Sequence, residues 1–294
     1  MYTSTLSLST TVELAEKTHI PQLRFGVYRS PPTVTDKSVT HALQAGYRHI
    51  DTAQIYRNEK EVGKAVRQFL AGSGGKVTRK DVWITTKLRD ERGKLPKKLD
   101  DVPKLLRESV DVICHGPEMG GYVDLFLIHS PYAGPEGRRI QWKALEDLKR
   151  EGKTRSIGVS NFGVKHLEEL QTYAKEPISV QQIELHPWCR QKEIVAFCQQ
   201  AGIAIEAYSP LAQCEKKDDP VLTNIASQVG KTWAQVLIRW SLQHGFIPLP
   251  KSDTPERIVS NSEVYDFELS TEQMARLDGL DEDLHVCWNP TGCA

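Results

Sequence analysis

The feature that most constrains the fold is an alternation along the chain. Eight short apolar or β-branched runs occur in turn: LRFGVY, YRHIDTA, DVWITTK, YVDLFLIHS, RSIGVSN, SVQQIELHP, AIEAYSPL and FIPLPKS. Between them lie longer amphipathic stretches such as HALQAG, NEKEVGKAVRQFL, LDDVPKLLRESVDVIC, QWKALEDLKREG, VKHLEELQTYA and QKEIVAFCQQAG, then PVLTNIASQVG with TWAQVLIRWSLQHG, and TPERIVSN. In VKHLEELQTYA the apolar positions Val164, Leu167, Leu170 and Ala174 recur at the period of one helix face. Parallel strands need a crossover of a dozen or more residues, which these stretches supply. The series therefore predicts an α/β fold of one closed (β/α)8 TIM barrel over residues 1–294. A doubly wound open sheet is the alternative, weakened because no G-x-G-x-x-G follows the first strand.

Smaller signals fit the barrel. Residues 7–20 are expected to form a hairpin closing its lower end. Asn58 followed by Glu61 resembles a capping box, and Gly72, Gly152, Gly202 and Gly245 fall where helices should stop. The glycine cluster GSGGK at 72–76 follows a helix and lacks the Ser or Thr of a phosphate loop, so it reads as a turn.

Composition excludes several classes of function. Thirty-eight basic residues balance 38 acidic ones, so no net field draws in nucleic acid or an anionic membrane, and any anion site must be local. No run of about 18 apolar residues occurs, and the start of the chain lacks the basic and apolar regions of a signal peptide. Six scattered cysteines, without a CxxC pair or a zinc-like spacing, read as thiols of a reducing compartment, which points to the cytoplasm.

A barrel carries its chemistry at the C-terminal ends of its strands. Here those ends are Asp51, Lys87, His129, Ser160 with Asn161, Gln182, Tyr208 with Ser209, and Lys251 with Ser252. Singly each has a plain explanation: a capping Asp, a solvated Lys, a satisfied core His. Jointly they put an acid, a base and an imidazole at one height on adjacent strands. A carboxylate ending an apolar strand is costly to bury without a cation or hydrogen bonds, and Lys87 is the expected partner of Asp51. Tyr56 is the phenol within reach. Its ordinary pKa is near ~10, and the ammonium of Lys87 is expected to lower it toward the range useful for proton transfer. His129 is then placed to hydrogen-bond a substrate oxygen. No activated Ser or Cys and no set of metal ligands accompanies them, so a bound hydride donor is the economical partner for a polarised carbonyl. At the far rim, Thr254 is expected to cap a helix begun by Pro255, bringing Arg257 near Lys251 and Ser252. Two cations, a hydroxyl and helix N–H groups suit a phosphate, with a solvated basic patch as the plainer alternative. Tyr208 is a side chain on which a flat ring stacks.

Read in order, GYRHIDTAQIYRNEKEVG, ITTK, DLFLIHSP, GVSNF, QQIELHP, AYSPL and PKS-x4-RI make nearly the whole chain resemble the aldo-keto reductase superfamily. The resemblance implies a (β/α)8 barrel without a Rossmann domain, NADPH bound in extended form, and reduction of aldehydes or ketones to alcohols. By position it implies Tyr56 as proton donor, Lys87 and Asp51 as its tuning pair, and His129 as the group orienting the carbonyl. It further implies Ser160, Asn161 and Gln182 as nicotinamide carboxamide contacts, Tyr208 as the stacking ring, and Ser209 and Leu211 near the pyrophosphate. Lys251, Ser252 and Arg257 would hold the adenosine 2'-phosphate and Asn261 the adenine, favouring NADPH over NADH.

Three departures stand out. Ser260 replaces a common Glu, Gln181 a common Asn, and Arg89 and Ser130 each replace a Trp. The last pair predicts a pocket tolerant of polar or anionic carbonyl substrates. The C-terminal tail is expected to lie over the pocket, where Tyr28 and Trp288 supply the remaining aromatic surface, plain packing of the tail being an equal alternative for Trp288. Substrate choice should lie in the loops RDERGK and AQCEKKDDP. A small-molecule carbonyl is the expected partner, with neither nucleic acid nor membrane, on a monomer or a weak homodimer. Two other classes stay in view: a nucleotide-sensing regulatory subunit on the same barrel, and an isomerase binding a sugar phosphate through the rim cations.

Overall fold

The computed structural model describes residues 6–89 and 101–294, so of the loop RDERGK only Arg89 falls within it. Two short strands come first, β1 (Thr11–Glu13) and β2 (His19–Pro21), paired antiparallel with Val12 opposite Ile20. This is the expected hairpin. Eight strands then pair in parallel and in chain order: β3 (Phe25–Gly26), β4 (His49–Asp51), β5 (Trp83–Leu88), β6 (Val123–Ile128), β7 (Thr154–Ser160), β8 (Val180–Glu184), β9 (Ala204–Tyr208) and β10 (Ile247–Pro248). Backbone bonds from Arg24 N to Pro248 O (3.1 Å) and from Gly26 N to Pro250 O (3.0 Å) join the first strand to the last and close the barrel.

The helices that cover it are α1 (Pro32–Gln44), α2 (Glu59–Gly72), α3 (Val102–Ile113), α4 (Gly134–Arg150), α5 (Val164–Gln171) and α6 (Lys192–Gln200), one after each strand from β3 to β8. A pair, α7 (Pro220–Val229) and α8 (Trp233–Gln243), follows β9, and α9 (Pro255–Ser260) and α10 (Thr271–Asp278) follow β10. Two helices exceed the sequence reading. The first begins at Pro32, well ahead of HALQAG, because proline suits a first helical position even before a β-branched run. The last, α10, opens with a Ser270–Gln273 capping box that the sequence reading missed.

Three local expectations are corrected. Asn58 does not cap α2, because its side chain is turned inward to three loop groups. Thr254 makes no side-chain cap on α9; its N–H instead donates to Ser252 Oγ at 3.1 Å. Gly72 is the last residue of α2 rather than the stop beyond it.

Strand periodicity places the site. Leu125 and Leu127 of β6 point into the barrel, where they meet Leu14 and Ile20 of the hairpin with Trp83, Val180 and Ile247. Phe126 and Ile128 point the other way, into the main core under the helices. This apolar plug closes the lower end. Because side chains alternate, the same inward face continues upward as Thr85 and Lys87 on β5, His129 after β6, Gln182 and Glu184 on β8, and Glu206 and Tyr208 on β9. None of the six cysteines is in a disulfide, and among the described residues no helix is long and apolar enough to cross a membrane.

Candidate active site

Above the plug the interior becomes ionic. Asp51 Oδ1 accepts from Lys87 Nζ at 2.5 Å, while Oδ2 accepts from Arg24 Nη2 and from Gln182 Nε2 at 3.1 Å. Glu206 pairs with the other arm of Arg24 and accepts from Gln182 Nε2 at 2.8 Å. Lys87 also donates to Thr52 O at 2.9 Å. The expected Asp51–Lys87 pair is therefore half of a buried group of two cations and two anions. Neutrality is what makes it tolerable, since an unbalanced charge in a low-dielectric interior costs several kcal/mol. Burial still outweighs the pull of Asp51 on both cations, holding Lys87 down to about 8 and Arg24 down to about 10.

Tyr56 stands over this group on a single turn of 3-10 helix, Gln54–Tyr56. Its loop is fixed from both sides. Asn58 donates to Val27 O (3.0 Å) and Ser30 O (3.2 Å) and accepts from Thr52 Oγ1 (2.7 Å), and Gln54 donates to Leu105 O and Ser109 Oγ, both at 2.8 Å. Lys87 Nζ lies 5.1 Å from the centre of the Tyr56 ring, and the His129 ring meets it edge-on at 5.8 Å. Asp51, Lys87, Tyr56 and His129, far apart in the chain, thus gather at one place.

Their electrostatics differ from the sequence expectation in one respect. The Tyr56 phenol is held well above its ordinary range, first by burial and then by the negative charge of Asp51. Burial and the charge of Asp51 outweigh the pull of the nearby cations, Arg24 among them. The outcome is a phenol that keeps its proton at neutral pH. Burial, with a smaller contribution from Lys87, also holds His129 well below its usual value, so its ring is a neutral imidazole. Its Nδ1 is buried without a hydrogen-bond partner among the described residues, which leaves Nε2 as the nitrogen available to an oxygen.

A cavity of about 430 Å³ opens above these groups. Of the residues singled out by sequence, Tyr28, Asp51, Tyr56, His129, Ser160, Asn161, Gln182, Tyr208, Ser209, Leu211, Lys251 and Trp288 line it, and Lys87 lies directly beneath. The amide and hydroxyl groups at its wall already bond to one another. Tyr208 OH donates to Asn161 Oδ1 (2.8 Å), Asn161 Nδ2 to His129 O (3.0 Å), and Ser160 Oγ to Gln182 O (2.9 Å). Beyond them the loop after β9 curls tightly, with Ser209, Ala212, Gln213 and Cys214 all at positive φ, a strain typical of ligand-binding loops.

The other rim residues stand farther out. Lys251 is tied to Asp253 at 2.5 Å, and Asp253 in turn accepts from Ser30 and Ser38. Ser252 is buried next to it, Arg257 is exposed on α9, and Asn261 is buried one turn further on. Arg89 and Ser130 do not line the cavity: Arg89 is exposed, with its N–H on Gln54 Oε1 (2.6 Å), and Ser130 is buried, accepting from Tyr132 N (3.4 Å). The aromatic surface comes instead from Tyr28, 5.1 Å from Tyr56, and from Trp288, stacked on Tyr132 at 5.6 Å. Sequence reasoning missed Arg24, Glu206, Asp253 and Cys287. Arg24 and Glu206 could have been found as charged residues at inward positions of otherwise apolar strands.

Comparison with known proteins agrees with this architecture. The profile of the Aldo/keto reductase family matches residues 25–282. An uncharacterized oxidoreductase of Schizosaccharomyces pombe is 46% identical over 285 residues, which is 96% of this chain and 98% of that protein. Glyoxal reductase of Bacillus subtilis is 41% identical over 286 residues, 97% of each. An aldo-keto reductase of Bombyx mori solved in complex with NADP superposes with a TM-score of 0.85 at 31% identity, covering 96% of each chain. Since the match runs from the first barrel strand into the tail that crosses its mouth, at identities far above those of mere likeness in fold, this chain belongs to the aldo/keto reductase family.

Proposed function

We propose that the protein reduces aldehydes or ketones to alcohols at the expense of NADPH, with Tyr56 giving the proton. The observation that carries this reading is the meeting, at one cavity, of a phenol that keeps its proton, a neutral imidazole and a buried ammonium–carboxylate pair. A carbonyl oxygen bound between Tyr56 and His129 faces two neutral donors, so its dipole is stabilised without either donor having to change charge first. As negative charge builds on that oxygen, the phenol proton passes to it. Lys87 then lies close enough to stabilise the phenolate left behind. The open cavity lets solvent return the proton.

The wall of the cavity fits a cofactor with a planar amide at one end and an anion at the other. Ser160, Asn161 and Gln182 present hydroxyl and amide groups, Tyr208 a flat ring, and Lys251 a cation at the far rim, with Ser252, Arg257 and Asn261 beyond it. Bound there, a reduced nicotinamide supplies the hydride that the carbonyl carbon takes up. Ser209 and Leu211, on the tightly curled loop, are assigned to the pyrophosphate, and Tyr28 and Trp288 to the substrate. The Bacillus relative's name makes small reactive aldehydes the first substrates to try. Loss of reduced-nicotinamide absorbance with a panel of aldehydes and ketones, run in parallel with NADPH and NADH, tests the proposal. Turnover preferring NADPH supports it. Tight nucleotide binding without turnover would favour a regulatory barrel, and reaction of a sugar phosphate without nicotinamide would favour an isomerase.

A further inference from the structure

The tail beyond α10 crosses the mouth of the barrel and is held by Glu184, whose carboxylate accepts from Val286 N (2.8 Å) and Cys287 N (3.2 Å). Beside that carboxylate three side chains of metal-binding type face one another: Cys189, just after β8, and Asp283 and His285 of the tail. Their donor atoms all lie within 4.8 Å of one another. Cys189 Sγ faces both ring nitrogens of His285, 3.6 Å from Nδ1 and 3.8 Å from Nε2, and Asp283 Oδ1 is 3.3 Å from Nε2. Around a tetrahedral zinc ion, with sulfur at ~2.3 Å and nitrogen or oxygen at ~2.0–2.2 Å, ligand atoms stand roughly 3.3–3.6 Å apart. The nitrogen–oxygen and nitrogen–sulfur separations are close to these values, and a turn of the imidazole would bring Nε2 to face the sulfur.

The surroundings fit as well. On the far side of the imidazole, Nδ1 lies 3.6 Å from Glu184 Oε2. A carboxylate on that side is the kind of outer partner that orients a metal-bound histidine once the ring closes to hydrogen-bonding distance of it. Asn289 Nδ2 lies 3.0 Å from Nε2, on an exposed side chain whose Oδ1 accepts from Thr291 N and Oγ1, and it has to give way to the ion. Cys189 is fully buried at the inner end and Asp283 is 88% exposed at the outer end, which gives an ion a route in from solvent. The sequence shows none of this, because the cysteine lies some ninety residues from its partners.

We propose that Cys189, Asp283 and His285 bind a zinc ion, with water as fourth ligand, and so fasten the tail to the barrel mouth. As the zinc–sulfur bond forms, the thiol proton leaves to the buffer, and no redox step is involved. Cys287 and Trp288 follow directly and both line the cavity, so the ion fixes that wall. This inference stands apart from the carbonyl-reduction reading.

The test is titration of the tag-free, reduced, full-length protein with Zn²⁺ and, separately, Co²⁺. The expected result is one ion per chain, with a cobalt adduct showing thiolate-to-metal charge transfer and tetrahedral visible bands. Cys189→Ser should abolish the charge-transfer band, and Asp283→Asn or His285→Ala should weaken binding at least ~10-fold, the loss seen even for outer partners. Because Asp283 is a surface residue, its variant keeps the test valid if Cys189→Ser fails to fold. Cys293→Ser, at the separate contact with His166 (3.9 Å), should change nothing. A wild-type cobalt spectrum without the band, a band that survives Cys189→Ser, or binding unaffected by Asp283→Asn would overturn the site. His285 would then be only a polar contact between Glu184 and Asp283.

Discussion

Asp51 is gripped by two cations, and the balance among these few residues governs the chemistry above them. Of these two cations Lys87, held down to about 8, loses its proton first as pH rises. Losing its proton removes the positive charge that stabilises the phenolate of Tyr56, so turnover should fall as pH increases through that value. Glu206→Gln removes a negative charge from the same group, which makes the Lys87 ammonium harder to keep. Its pH–rate profile should break at lower pH than the wild type, and an unmoved break would show that Glu206 does not act on Lys87. Arg24→Met should cost about 3–5 kcal/mol in denaturant unfolding because it strands Glu206 as an uncompensated buried charge. The double replacement Arg24→Met with Glu206→Met should recover much of that loss. Asp51, Lys87 and His129 were legible because a polar residue ending an apolar strand is conspicuous, and Tyr56 because it follows Asp51 by five residues. The upward shift of the Tyr56 phenol was not, since how deeply a ring is buried is a property of the packed barrel.

At the scale of elements, the tail is the piece that depends most on close fit. Gly163, just before α5, comes so near the tail that a Cβ there would sit 2.1 Å from Thr291 O. His166 at 2.9 Å from Cys293 O, and Arg138 donating to Ala294 O at 3.1 Å, hold the same stretch. Gly163→Val should lift this segment away. The expected signs are a several-fold rise in substrate KM, faster proteolytic cutting within the tail, and a loss of stability of about 1–3 kcal/mol, the usual cost of overpacking. Strands and most helices were readable from their periods of two and 3.6. α10 and the first turns of α1 were not, because their apolar positions are sparse and a β-branched run obscured the start of α1. The tail has no period, and its place over the pocket was expected only through the family resemblance and Trp288, which does line the cavity; the contacts that hold it there were not legible.

The molecule as a whole carries no net charge, so the proposed preference for NADPH has to come from the local rim. There Lys251 already has a carboxylate partner in Asp253, and an anion must compete for it. Lys251→Ala and Arg257→Ala should each raise the KM for NADPH by about 10–100-fold, in line with ~1.5–3 kcal/mol for a charge-assisted hydrogen bond, and leave that for NADH nearly unchanged. Added salt should weaken NADPH binding more than NADH binding. Equal effects on both cofactors would remove the 2'-phosphate from this site. The closed barrel was legible from eight alternating units, but its ionic interior was not, because the pairing of Arg24 with Glu206 joins the first strand to the seventh. The most direct measurement is steady-state carbonyl reduction by Tyr56→Phe alongside its affinity for NADPH. The account predicts turnover lower by about 10²–10⁴-fold, the range of general acid catalysis, with NADPH bound as tightly as by the wild type. Turnover within a few-fold of the wild type would contradict it.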